Sequence, residues 1–184
     1  YIENALASKL TERYSAREQI SRSIFSAKQK VRGFYESLKS SVEERLATVR
    51  SEEFEVTIDA SFVPSHEFPT QFLDLVNQSS AGPFRGTSQG AAALETRITE
   101  TDWNDIESVL GFAQGIIDAL RQEDVSKQVK DIKKLYDLLF SFEYFDARYE
   151  LRLGGKNLNQ LSPGEKGLLL LIFYLHLDKE KTPL

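Results

Sequence analysis

The residues in this chain best suited to chemistry are Leu161-Ser162-Pro163-Gly164-Glu165-Lys166-Gly167. Ser162 stands where a helix N-cap belongs, and Pro163 takes the first helical position, where its missing N–H costs nothing. The backbone N–H groups that follow lie at the positive end of a helix dipole and lack partners within the helix. Gly164 has no side chain, so a second backbone or an oxyanion can approach closely. A hydroxyl, unpaired amides and a dipole together make an anion site suited to phosphate, with Glu165 and Lys166 adding polar reach at its rim. The plainer reading is a capped start to a helix whose residues Leu168 to Phe173 are apolar all round, which predicts burial against a sheet.

Other candidate chemistry is weaker. Gly82, Gly86 and Gly90 recur four apart in a Gly-, Ser- and Ala-rich stretch over 79–93, but Arg85 is its one strong cation, so a mobile surface loop is expected. Gly155-Lys156 is the one Gly-Lys pair. Asn157 follows where a phosphate-binding loop needs Ser or Thr, and Glu150 stands where its first glycine belongs. His66 and His176 are far apart and there is no cysteine, which gives no nucleophile–base arrangement, no disulfide and no convincing metal site. The net charge of −5 argues against a dedicated nucleic-acid binder. Lys127, Lys130, Lys133 and Lys134, interleaved with Asp124, Asp131 and Asp137, read as a solvated helix face with local ion pairs.

Taken whole, Leu-Ser-x-Gly-Glu-Lys before an apolar helix, and shortly after a strand and a Gly-Gly turn, resembles the signature motif of ATP-binding-cassette ATPases. The form is similar to that of the branch containing the structural-maintenance-of-chromosomes proteins and related DNA-repair and phage-defence ATPases. Pro163 departs from the transporter form, where glycine is usual. The resemblance covers about residues 148–184, a fifth of the chain. It implies that Ser162, Gly164, Glu165 and Lys166 form a nucleotide-contacting loop reaching the γ-phosphate of ATP bound by a second copy of the head in a homodimer. It also implies ATP and magnesium as cofactors of a longer parent protein, with neither bound by this piece alone. DNA is a candidate partner, a membrane is not, and catalytic residues are not among those present.

The elements that would position the loop follow from periodicity. Residues 1–53 read as an arm, most of it one helix over about 1–50 with a stripe through Ile24, Ala27, Val31, Tyr35, Leu38, Val42, Leu46 and Val49. At about 1.5 Å per residue it would span about 75 Å; two helices broken near Gly33 are the alternative. Residues 54–124 read as a mixed insert, which the resemblance leaves unaccounted for. Within it Phe54, Val56, Ile58, Ala60 and Phe62 alternate with polar residues as a strand, Ser65 caps a short helix, and Thr101 caps a helix over 102–121. Residues 125–184 read as a helix over 125–145, a strand over 147–153, and the signature helix of a partial C-terminal ATPase lobe. The expected class is α+β and mainly helical: a long coiled-coil-like helix plus a partial P-loop ATPase head lobe with few strands.

The chain opens on Tyr1 without methionine and closes on Pro183-Leu184, which read as the entry to another strand; a piece of a longer protein is expected. The longest apolar run, Leu168 to Leu175, is far short of the ~20 residues that span a bilayer, and the absence of cysteine fits a reducing compartment, so the reading is a cytoplasmic protein. Two rivals stand beside the ATPase: a structural coiled-coil adaptor with an accidental signature, and a nucleic-acid-binding module using the lysines at 127–134. An acidic strand end after Leu184 would separate the first from the ATPase, and salt-dependent duplex binding would support the second.

Overall fold

The computed structural model describes residues 2–46, 56–153 and 155–177. The protein is α+β and mainly helical. Its elements run α1 (Ile2–Leu46), β1 (Val56–Pro64), α2 (Phe68–Leu75), α3 (Thr87–Glu100), α4 (Ile106–Arg121), α5 (Val125–Gln128), α6 (Ile132–Ser141), β2 (Phe145–Leu153), β3 (Lys156–Asn157), a 3-10 turn (Leu158–Gln160) and α7 (Pro163–Leu177). The strands form one sheet in the order β1-β2-β3. Contacts divide the chain into two units, Tyr1–Lys28 with Phe62–Asp146, and Gln29–Ser61 with Ala147–Leu184. Both are discontinuous in sequence, because α1, β1 and β2 each supply residues to both.

The first helix is unbroken through Gly33, around which an added side chain would meet nothing. Val49 and the connection after it lie outside the described residues. The stripe read from the sequence is not the face that packs in the first unit: Ile24 is half-buried and Ala27 exposed, and the buried positions are Ser21 and Phe25. Phe25 is fully buried, with the rings of Phe62, Phe142 and Phe145 at 5.5, 6.4 and 6.2 Å. One turn earlier, the Ser21 hydroxyl is also buried and donates to the Phe140 carbonyl at 2.9 Å. That bond satisfies a polar group which would otherwise cost about 1–3 kcal/mol to bury. Lys28 closes the contact by donating to the Phe145 carbonyl at 2.7 Å.

The aromatic cluster continues through Phe68, Trp103, Phe112 and Tyr144. Phe68 stacks on Tyr144 at 4.2 Å, and Trp103 meets Phe112 edge-on at 5.1 Å. Burial holds the Tyr144 phenol well above its ordinary pKa. Phe142, at the C-terminal end of α6, adopts a left-handed φ of 56° although it is not glycine. Its full burial among these rings holds it in that conformation.

Several local expectations are corrected. The stretch over 79–93 is not a surface loop throughout, because α3 begins at Thr87 and Gly90 is buried. A Cβ at Gly90 would sit 2.5 Å from the Phe84 carbonyl oxygen, and one at Gly82 would collide with the buried Gln128 side chain. Gly90 thus permits a close backbone approach, and Gly82, at φ +151°, leaves room for the Gln128 side chain. Thr101 does not cap the next helix; its hydroxyl turns back to the Arg97 carbonyl at 2.7 Å, and Asp105 caps α4 by accepting from Ser108 N–H at 2.9 Å. The N-cap position of α2 is Glu67 and not Ser65, although the Ser65 hydroxyl accepts from Glu67 N–H at 3.2 Å in the turn that leads into the helix.

The helix expected over 125–145 is two short ones. Asp131 accepts from Lys134 N–H and starts α6 afresh, while the backbone just before it pairs with the segment after α2: Lys130 N–H to Leu75 O at 2.9 Å and Asn77 N–H to Gln128 O at 2.7 Å. The lysines therefore share no continuous helix. Lys127 pairs with Asp124 at 3.4 Å and Lys134 with Asp131 at 3.8 Å, at a spacing of three residues. Lys130 is held by the Asp74 carbonyl at 2.9 Å.

In the second unit, the rings of Tyr35 of α1 and Tyr149 of β2 meet in a tilted contact at 4.9 Å. Val31 and Phe34 on the same stretch of helix are exposed. Phe25→Ala should destabilise the protein by ~3–5 kcal/mol, as expected for a truncated core aromatic, whereas Phe34→Ala should change stability by under ~0.5 kcal/mol. Urea unfolding followed by circular dichroism measures both, and similar losses at the two positions would contradict the assignment of Phe25 as a core residue.

Candidate functional site

The loop before α7 is assembled by a hairpin and a turn. Leu153 of β2 pairs with Lys156 of β3, and Arg152 with Asn157, both antiparallel. Gly155 between them has φ +76°, a left-handed value that glycine takes without strain. Asn157 then caps the 3-10 turn, its own N–H bonded to the Gln160 side chain at 3.0 Å. Leu161 follows, buried, and fixes where the loop leaves the turn.

Ser162 occupies the N-cap of α7, as its sequence context predicts. Its Oγ accepts from Glu165 N–H at 3.3 Å, and Glu165 Oε2 accepts from Ser162 N–H at 2.7 Å. This reciprocal pair is a capping box. The second carboxylate oxygen of Glu165 receives Lys156 Nζ at 3.0 Å. Lys166 N–H donates to Ser162 O at 2.9 Å and continues the helix.

The unpartnered amides foreseen at this helix start are thus reduced in number. Pro163 has no N–H, Glu165 N–H is bonded to Ser162, and among the described residues only Gly164 N–H at this start is left without a partner. The rim role foreseen for Glu165 is replaced by one at the centre, where its carboxylate already stands at the positive helix end. The Ser162 hydroxyl accepts through its oxygen and keeps its proton to donate.

Gly164 is exposed, its backbone is not in the left-handed region, and an added Cβ would meet nothing. Nothing inside the described chain requires glycine there, and the same is true of Gly167. Along α7 only part of the expected burial is found. Leu169 is fully buried, while Leu170, Leu171 and Tyr174 are 62%, 54% and 66% exposed. The described part of this chain supplies no layer over that side of the helix. The segment from Asp178 to Leu184 lies outside the described residues.

Sequence reasoning missed two features here. In the sequence Lys156 stands out only as part of an incomplete phosphate-binding pattern, yet the β2–β3 hairpin brings it onto Glu165. The capping box was legible, since Ser and Glu three residues apart before an apolar run is its pattern. His66 is exposed, and among the described residues no three His, Cys, Asp or Glu gather as a metal ion would require. No described helix is long and apolar enough to cross a membrane. Comparison with protein-family models, with curated proteins and with solved structures finds no match to this chain.

Hydrogen bonds from Ser162, then Lys156, hold the Glu165 carboxyl down to a pKa of about 2. A depressed folded-state pKa gives stability that is fully present above the unfolded value of ~4.3 and is lost as pH falls from there through the folded value. Carbon-detected NMR titration of the Glu165 side chain should therefore place its midpoint near 2. Lys156→Met should raise that midpoint. An ordinary midpoint near ~4.3 would show that the capping box does not persist in solution.

Proposed function

We propose that this chain is part of the head of an ATP-binding-cassette-type ATPase of the structural-maintenance-of-chromosomes-like branch, with α1 belonging to its coiled-coil arm. The loop Leu161–Lys166 is the signature, offered to the γ-phosphate of ATP held by the phosphate-binding loop of a second copy of the head. Nucleotide binding closes two heads, hydrolysis releases them, and the arm carries that motion to a distant partner, with DNA the candidate.

The observation that carries this reading is Gly164. It is exposed at a helix start with an unpartnered N–H, and neither its backbone conformation nor its surroundings call for glycine. A residue without a side chain, where nothing internal is close, leaves room for an approach from outside. The Ser162 hydroxyl proton and the Gly164 amide are then the donors, and the Glu165 carboxylate is the group that must share or surrender Lys156. In this account Lys156 swings from Glu165 to the incoming phosphate, which removes the electrostatic penalty of bringing a second anion to the same helix end. Apolar residues left exposed on α7 agree with a helix that is covered in a longer protein.

ATP and magnesium belong to the complete head, and the residues described here supply neither the loop that holds the nucleotide nor acids for the metal. In the complete protein, Ser162→Arg should leave nucleotide affinity within about twofold of wild type while abolishing ATP-driven dimerisation and turnover. Loss of the cap alone costs about 0.5–2 kcal/mol, too little to unfold a typical domain. Equilibrium nucleotide binding paired with light scattering in ATP makes the measurement. A mutant that dimerises and turns over normally would reduce the loop to a helix cap.

A further inference from the structure

We propose that a cleft in the first unit, between the first half of α1 and α4, binds a phosphate group carried on a small molecule with a flat apolar part. This inference is independent of the reading of the signature loop. The cleft has a volume of about 380 Å³, and its walls include Tyr14, Arg17, Arg22, Glu107, Gln114 and Arg121. That volume falls within the usual range for small-ligand sites.

Three arginines face it, and they are not equivalent. Arg22 is neutralised by Glu107 at 2.5 Å and Glu18 at 2.7 Å, which raises its pKa and lowers that of Glu107. Arg17 has no carboxylate partner among the described residues. Its guanidinium lies 3.7 Å from the centroid of the Phe140 ring and gives one bond, from Nη2 to the neutral Gln114 amide oxygen at 3.2 Å. Its Nε is buried without any acceptor. A cationic group held against a ring with no carboxylate beside it carries a desolvation cost that the charge of an anion bound in the cleft would offset.

Arg121 is the second available cation. Its Nη2 donates to the hydroxyls of Tyr14 and Tyr136, both at 3.0 Å, while Asp118 stands off at 3.9 Å. Because the Tyr14 oxygen accepts that bond, its own proton remains to be donated. Arg17 and Arg121 both lie over the Tyr14 ring, at 5.2 and 5.7 Å, so one phenol is flanked by two guanidinium groups. Unused arginine N–H groups and a phenol O–H match the several acceptor oxygens of a phosphate better than the two of a carboxylate. Phe140 and Leu110 supply an apolar wall for the rest of the ligand.

The test follows arginine Nε–H signals of the full chain by NMR during titration with inorganic phosphate, phenyl phosphate, benzoate and phenol. Phenyl phosphate should shift the Arg17 signal saturably, inorganic phosphate should compete for the same site more weakly, and phenol should do nothing. Arg17→Met should lower the affinity for phenyl phosphate at least ~tenfold, the loss of about one good charge-assisted contact. The exposed Arg85→Met should leave it unchanged. Should Arg17→Met fail to fold, Arg17→Lys keeps the charge but not the planar fork, and it should also weaken binding with an unaltered melting temperature. Absence of saturable shifts up to ~10 mM ligand, weaker than any useful site, would make Arg17 a packing residue and overturn the proposal. Binding indifferent to both Arg17 variants, or benzoate outcompeting phenyl phosphate, would also overturn it.

Discussion

The contact on which the first unit depends is the burial of Phe25 among Phe62, Phe142 and Phe145. One ring from a long helix is surrounded by rings from β1, from the end of α6 and from the start of β2. Burying such a side chain is worth about 1.5–3 kcal/mol, and it is made at a point where three separate parts of the sequence must meet. Ser21 and Lys28 add hydrogen bonds to the Phe140 and Phe145 carbonyls on either side, which fixes the helix in register as well as in place. In the second unit the start of α7 is set locally, by the β2–β3 hairpin, the 3-10 turn and the cap at Ser162.

Much of this order was legible in the sequence, for reasons that differ by element. No proline interrupts α1 and the helix forms, but the face that packs in the first unit is that of Ser21 and Phe25, not the stripe through Ile24 and Ala27. The alternation after it gives β1, and the Ser-Pro start gives α7, because period and cap chemistry are local signals. The errors fall where a distant partner decides. Gly90 looks like a loop glycine until the Phe84 carbonyl is seen against it. The segment over 125–145 keeps its apolar period across Asp131, yet the chain breaks there because Lys130 and Gln128 pair with the backbone near Val76. Thr101 is a plausible cap by residue type, but its hydroxyl is taken by the preceding turn.

The candidate site divides in the same way. Ser162 caps α7 as its residue type predicts, whereas nothing in the described chain reserves the place of Gly164 for glycine, and Glu165 and Lys156 have a relation that only the hairpin reveals. At rest the helix start is occupied by the chain's own carboxylate, with a lysine shielding it. That arrangement makes the loop stable without an external anion and leaves two donors outward. It also gives the loop a built-in competition, since any phosphate arriving there must contend with Glu165 for the same positive end and the same lysine.

The proposed role turns on whether this loop serves a nucleotide held by another subunit. Mixing two defective forms of the complete protein tests that directly. One carries Ser162→Arg with its own nucleotide-holding loop intact, and the other has an intact signature but a disabled nucleotide-holding loop. Each alone should be inactive. If the contact is made across subunits, a mixed dimer regains one complete site, and ATPase activity should return on mixing. Continued inactivity of mixtures that demonstrably form mixed dimers would contradict the account.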